Sequence, residues 1–260
     1  MIKSIQKVFD ILKLFKTYHA LGLTEISKKL CIPKTTVFNI LSSLEEIAII
    51  QKNSENKYFL GVECFQLGNL VASHWVLREE AEPFMRKLWE WTHETINLTV
   101  LDNDELLYIN SIESPQRLRF QSLIGVRAPL YCTGVGKAIM AFLPESKIDE
   151  IIKIKGLKKF TSNTITDPER LKEELKLTRV RGYAVDNMEI EEGVRCIAAP
   201  IRNHNGVVFA SISISGPQQR ILDEEIPSLA EIVKATANDI SKSCLLYTSD
   251  AADELDGVDL

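Results

Sequence analysis

Hydrophobic and polar positions along the chain alternate with two distinct periods. Residues 4–18 place Ile5, Val8, Phe9, Ile11, Leu12 and Phe15 on one stripe with a period near 3.6, the signature of an amphipathic helix. Leu21-Gly22 breaks that stripe. Thr24 then precedes EISKKL as a candidate N-cap, with Glu25 in the first turn. This second helix ends near Cys31. Pro33 marks the start of a third helix over about 34–47, because a first turn tolerates the missing N–H. Val37, Ile40, Leu41 and Leu44 are its buried stripe. AIIQK (48–52) and KYFL (57–60) read as short strands around the turn NSEN.

From residue 63 the pattern is helical to about 93, with breaks expected near His74 and Pro83. Period-2 stretches follow: INLTVLD (96–102), ELLYINSI (105–112) and RLRFQSLI (117–124). TGVGKAIMAFL (133–143) reads as a helix, Pro144 opens another to about 154, and Asp167-Pro168 open a charged one to about 180. GYAVD (182–186) reads as a strand. VRCIAAPIR (194–202) and VVFASISISG (207–216) read as a hairpin, and a last helix runs over about 223–242. Strands mixed with flanking helices in this order predict an α+β domain. No internal repeat occurs.

Charge sharpens this division. Residues 1–60 hold nine lysines against five carboxylates, whereas the whole chain has a net charge of −5. A basic head on an acidic body suits a phosphate-binding module joined to a domain of another kind. No apolar run approaches the roughly 18 residues of a membrane span. The lysine-rich first helix is not a signal peptide. Five scattered cysteines without CxxC spacing, and four histidines without metal-ligand spacing, argue against a disulfide framework or a zinc site. A reducing, cytoplasmic location is expected, with no membrane partner and no cofactor.

Two helices joined by a tight turn, with a helix before and a hairpin after, make a winged helix-turn-helix. Once the third helix spends its apolar stripe on docking, Lys34, Thr35, Thr36, Asn39 and Ser43 point outward, with Phe38 and Ser42 at the margins. Short polar groups near a helix N-terminus can meet phosphates and base edges of double-stranded DNA. Asn39 is the candidate base reader, since its amide matches an adenine edge. Lys52 and Lys57 on the wing, and Thr24 at the second helix, complete the candidate contacts. A three-helix subdomain with a hydrophilic outer face would show the same periodicity.

These segments, SIQKVFDILKLF, LTEISKKL, IPKTTVFNILSSLEEIAII and YFLG, resemble in order and spacing the DNA-binding half of the IclR-type bacterial transcription regulators. Two departures stand out. Cys31 replaces the glycine usual in the turn, and Phe38-Asn39 replaces the usual His-Arg pair. The resemblance continues through PLYCTGVGKAIMAFLP (129–144), RGYAVDNMEIEEGVRCIAAPIRN (181–203) and ASISISGPQQRI (210–221). It implies an α+β chain with a winged helix-turn-helix over 1–62 and a linker and dimerisation helix over 63–76. It further implies a GAF-like effector-binding domain over 77–243, in a homodimer or dimer of dimers. Residues 244–260 resemble a vector-derived scar and are expected to be a non-native or disordered tail.

In the second domain, GVGKA resembles part of a phosphate loop, but Tyr131 stands where that loop needs glycine, which argues against ATP. A helix starting at Thr133-Gly134 suits a carboxylate. Ser213 and Ser215 share one strand face, and two inward serines need polar partners that a ligand would supply. The resemblance places the effector contacts, for a carboxylate-bearing small molecule, at Gly134, Val135, Asp186, Val194, Cys196, Ser213 and Ser215, with Phe120 lining the pocket. Satisfied core positions are the bland alternative for the serines and Cys196. An enzyme using Cys196 or Ser213 with Asp186 is the competing class, although no base is evident for the nucleophile. A scaffold without DNA contact is a third, and Cys132 with Cys196 could also be read as metal or redox groups.

Overall fold

The computed structural model describes residues 2–73 and 76–253. The chain divides into two compact units, Met1–Trp75 and Val76–Leu260, each with its own core.

The N-terminal unit comprises α1 (Lys3–Leu14), β1 (Leu21–Gly22), α2 (Leu23–Leu30), α3 (Lys34–Glu46), β2 (Ile50–Lys52), β3 (Lys57–Leu60) and α4 (Val62–Ser73). Ile11, Ile26, Val37, Leu41 and Leu44 from the helices meet Leu21, Ile50 and Tyr58 from the strands. Of the first stripe, Ile5 and Phe9 stay exposed, so the buried face of α1 is narrower than its periodicity suggests. Leu21-Gly22 does more than end a helix: it pairs with Tyr58 and Lys57 as a third strand of the wing. Extended backbone here lets Leu21 reach the core. The N-cap of α2 is Gly22 and not Thr24; the Gly22 N–H donates to Glu25 Oε2 at 2.7 Å, and Thr24 sits exposed in the first turn. The wing turn is held by Asn53, whose Oδ1 accepts from the N–H groups of Glu55 and Lys57.

Cys31 answers the glycine departure directly. It closes α2 in the left-handed region, at φ 53° and ψ 37°, with its N–H on the Ser27 carbonyl. A side chain there costs about 1 kcal/mol relative to glycine. Ser27 Oγ donates to the Ile32 carbonyl at 2.6 Å and helps hold the turn.

The C-terminal unit comprises α5 (Val76–Thr92), β4 (Thr95–Asp102), β5 (Glu105–Ile112), β6 (Arg127–Ala128), α6 (Gly134–Met140), α7 (Glu145–Lys155), α8 (Pro168–Arg181), β7 (Ala184–Asn187), β8 (Val194–Arg202), β9 (Val208–Pro217) and α9 (Ile226–Asp253). Its six-stranded sheet has the order β6-β5-β4-β9-β8-β7, with antiparallel neighbours throughout. Parity on β9 sends Ser211, Ser213 and Ser215 to one face and Ile212 and Ile214 to the other. Ser211 Oγ donates to the Val135 carbonyl at 2.9 Å, so the serine face is the one α6 covers.

Three expectations are corrected here. The helix α5 runs unbroken through Pro83; that residue is exposed, while Ala81, Met85 and Leu88 bury the opposite face and hold the helix. The expected break near His74 lies outside the described residues. The alternating run 117–124 is not a strand. Residues 125–128 take the edge of β5 instead, and Glu113 binds Arg119 and Gln121 side chains to hold an irregular loop. The last helix continues to Asp253, since no glycine or proline interrupts residues 244–253. Residues 254–260 lie outside the described residues.

Candidate functional site

Two places in the molecule hold polar groups in functional arrangements. The first is the outward side of α3. Lys34, Thr35, Asn39 and Ser43 are exposed and Thr36 is half-buried, while Val37, Leu41 and Leu44 face the core. Ser43 Oγ turns back to the Asn39 carbonyl at 3.1 Å. On the wing, Lys52 lies over the Tyr58 ring with Nζ 5.3 Å from its centroid, and Lys57 pairs with Glu55 at 3.0 Å. These residues form a surface able to meet phosphates and base edges, with the hydrogen-bonding groups of Thr35 and Asn39 turned to solvent.

The second is a cavity of about 290 Å³ in the C-terminal unit. Phe120, Gly134, Val135, Asp186, Val194, Cys196 and Ser215 all line it. Ser213 does not: it lies behind the wall, fully buried, with its hydroxyl 3.3 Å from that of Ser215. Strand register produces this grouping. Asp186 on β7 pairs with Cys196 on β8, and Cys196 pairs with Ser215 on β9. Gly134 brings α6 onto that row. A Cβ there would stand 2.8 Å from Cys196 Sγ, so only glycine permits the approach. Phe120 is placed from the other side, by Thr95 Oγ1 donating to its carbonyl at 2.6 Å.

The inward serines find partners within the protein. Asn97 Nδ2 donates to Ser215 Oγ at 3.2 Å, and Ser111 Oγ donates to Asn97 Oδ1 at 2.9 Å. The inference that they require a ligand is therefore corrected. Among the described residues, the buried hydroxyl that lacks a partner is Ser122 Oγ, on the cavity wall in the loop over 117–124. Tyr108, Thr133 and Arg127 also line the cavity. Strand parity could have pointed to Tyr108; nothing in the sequence pattern marks Ser122 or Arg127. Thr133 caps α6, its Oγ1 accepting from Gly136 N at 3.1 Å.

Burial sets the electrostatics. The Asp186 carboxyl is pushed up to about 7 by burial, against the Glu189 N–H that donates to its Oδ1 at 2.7 Å. Burial also raises the Cys196 thiol to about 11 and the Cys132 thiol to about 12, so both stay protonated near neutrality. Tyr108 is raised by the same cause. Below the site, Lys137, 1% exposed, is ion-paired with Glu189 and lies 4.0 Å from Glu174. Glu189 is raised by burial, and its Oε2 has no hydrogen-bond partner. Arg127 is engaged by Asp102 and Glu105. Among the described residues, no group of three or more His, Cys, Asp or Glu is placed to hold a metal. No described helix is long and apolar enough to cross a membrane.

Comparison with known proteins covers both places. The family model of the IclR helix-turn-helix domain matches residues 4–54, and that of the bacterial transcriptional regulator IclR C-terminal domain matches residues 69–242. The chain is 36% identical over 240 residues to the HTH-type transcriptional regulator KipR of Bacillus subtilis, covering 92% of this chain and 96% of that protein. The solved structure of Thermotoga maritima IclR superposes with a TM-score of 0.78 at 33% identity, over 94% of this chain and 99% of that one. An IclR homolog from Microbacterium hydrocarbonoxydans, complexed with 4-hydroxybenzoate, gives 0.83 at 24% identity, over 93% and 98%; at that identity the likeness is one of fold.

Proposed function

The chain belongs to the IclR family of bacterial transcriptional regulators, and from that premise we propose how its two units divide the work. The N-terminal unit reads operator DNA in the major groove with α3, through Thr35, Thr36, Asn39 and Ser43. Lys34, Lys52, Lys57 and Thr24 contact flanking phosphates. The C-terminal cavity binds a small effector that bears a carboxylate, held by Gly134, Val135, Asp186, Val194, Cys196 and Ser215 against Phe120, with Ser213 supporting Ser215.

The observation that carries the effector reading is the buried, unpartnered Ser122 hydroxyl on a largely apolar cavity wall, where a ligand's polar atom would complete it. An acidic effector is supported by Asp186. A carboxyl pushed up to about 7 can donate a proton to a ligand carboxylate instead of repelling it. The 4-hydroxybenzoate held by the Microbacterium homolog is of this chemical class. The family's regulators argue against an enzyme, as do the protonated Cys196 thiol and the lack of a histidine among the described cavity residues. The protein acts in the cytoplasm as a homodimer or dimer of dimers, whose two α3 helices enter successive major grooves. Effector binding changes DNA affinity, which requires unequal affinity of the effector for the two states.

A mobility shift with the chain's own upstream DNA tests this. Binding that weakens steeply with salt, and is lost in Lys34→Ala plus Asn39→Ala, is the expected result. No binding at any salt would overturn the DNA reading. Thermal-shift titration with 4-hydroxybenzoate and other small carboxylates tests the cavity. A rise in Tm that vanishes when Ser122 and Ser215 are both changed to Ala is expected. Sedimentation of the full chain checks the oligomer.

A further inference from the structure

The outward face of α3 carries an unusual set of groups, and its chemistry restricts which base pairs it can read. Positions 35, 38, 39 and 42 are spaced i, i+3, i+4 and i+7, which makes them one contiguous patch on a helix. All four are exposed: Thr35, Phe38, Asn39 and Ser42. The patch therefore presents two hydroxyls, one amide and one phenyl ring. Phe38 is 52% exposed, at the margin between the outward face and the core stripe of Val37, Leu41 and Leu44.

Guanine offers the major groove two acceptors, which call for a two-donor cation, most often arginine. The N-terminal unit contains no arginine; the first in the chain is Arg78. The single cation on α3 is Lys34, at its first residue, and the helix ends on Glu45 and Glu46, which repel phosphate. Adenine offers an acceptor beside a donor, the pattern an amide matches in two places, and Asn39 supplies that amide. Thymine offers an acceptor and a 5-methyl group. The Thr35 and Ser42 hydroxyls can donate to the acceptor. The methyl needs an apolar surface, and the Phe38 ring is the largest one on the patch, beside the small Thr35 methyl.

We infer that the reading face of α3 selects A·T base pairs, with Asn39 on an adenine edge and Phe38 packed on the methyl of a neighbouring thymine. This rests on the proposed placement of α3 in the major groove and adds to it a base composition and a residue. Phe38, read from sequence only as marginal, becomes a specificity determinant.

The experiment is selection from a randomised duplex library with the full-length protein, then affinity measurement on the winning duplex with deoxyuridine replacing each thymidine in turn. Deoxyuridine removes only the methyl group. The expected winner has A·T pairs at the centre of each half-site. At one of these positions the wild-type chain loses about four-fold in affinity per methyl removed, the worth of burying one such group. In Phe38→Ala that sensitivity disappears, while Phe38→Leu retains part of it. Asn39→Ala loses roughly 5- to 150-fold and relaxes selection at the adenine. A G·C centre would overturn the inference, and so would a uridine effect of equal size in wild type and Phe38→Ala, or none in either. All three outcomes leave DNA binding intact and so differ from failure of the DNA reading itself, in which no sequence is selected.

Discussion

The face of α3 and the wall of the cavity treat polar groups in opposite ways. On α3 the amide of Asn39 and the hydroxyl of Thr35 point to solvent, and the helix docks through Val37, Leu41 and Leu44 without them. In the C-terminal unit Asp186, Ser213, Ser215 and Lys137 are buried, and each is bonded to another group of the protein. The first surface can change its chemistry at little cost to folding. The second cannot, because the groups that would hold a ligand also satisfy the core. That difference accounts for how a chain can replace a His-Arg pair by Phe38-Asn39 and keep the fold.

Substitutions can break or sharpen this contrast. The largest effect on stability is expected from Lys137→Met, which strands the Glu189 carboxylate in the interior and should cost roughly 3–5 kcal/mol by chemical denaturation. Adding Glu189→Gln should recover most of it. A single loss below about 1 kcal/mol would mean the buried pair holds nothing together.

Asp186→Asn comes next, and its effect depends on pH. The folded carboxyl, raised to about 7 from 3.8, stays protonated where the unfolded one is ionised. Stability from this group is present below about 4 and is lost as pH rises through about 7. The Asn variant lacks that loss, so its stability relative to wild type should rise between pH 4 and 8, on the order of 3 kcal/mol. Thermal melts across that range check it; a constant gap would contradict the buried-carboxyl reading. Carboxylate binding to the wild type should weaken above pH 7 and be flat with pH in the variant.

Gly136→Ala should cost about 1–3 kcal/mol, since its Cβ would stand 2.2 Å from the Leu130 carbonyl oxygen and α6 must shift. Asn39→Ala should have the smallest effect, within about 0.5 kcal/mol of wild type, while DNA affinity falls. If Asn39→Ala destabilised the chain as much as Gly136→Ala, the contrast between the two regions would fail.

The reading surface was legible in the sequence because a single helix carries it, and a 3.6-residue period separates its docking stripe from its outward groups. Five of the elements around the cavity, β5, α6, β7, β8 and β9, were legible for similar reasons. The loop over the cavity was not. RLRFQSLI alternates as a strand would, but the edge of β5 is already taken by residues 125–128, and no local pattern reports an occupied edge. The wing strand at Leu21-Gly22 was missed because two residues carry no period. Gly22 took the cap from Thr24 because Glu25 reaches back to its N–H.

Family resemblance named seven of the residues that line the cavity. By itself, the sequence determined the two-unit order, the helix-turn-helix and the arginine-free N-terminal unit. Those follow from periodicity, composition and short motifs, which are local. Tertiary structure alone decided that Ser213 stands behind Ser215, that Ser215 bonds to Asn97 and to Ser213, and that, among the described residues, Ser122 carries the buried hydroxyl without a partner. Sheet register brings residues more than a hundred positions apart within hydrogen-bond reach, and register is a property of paired strands that neither strand carries alone.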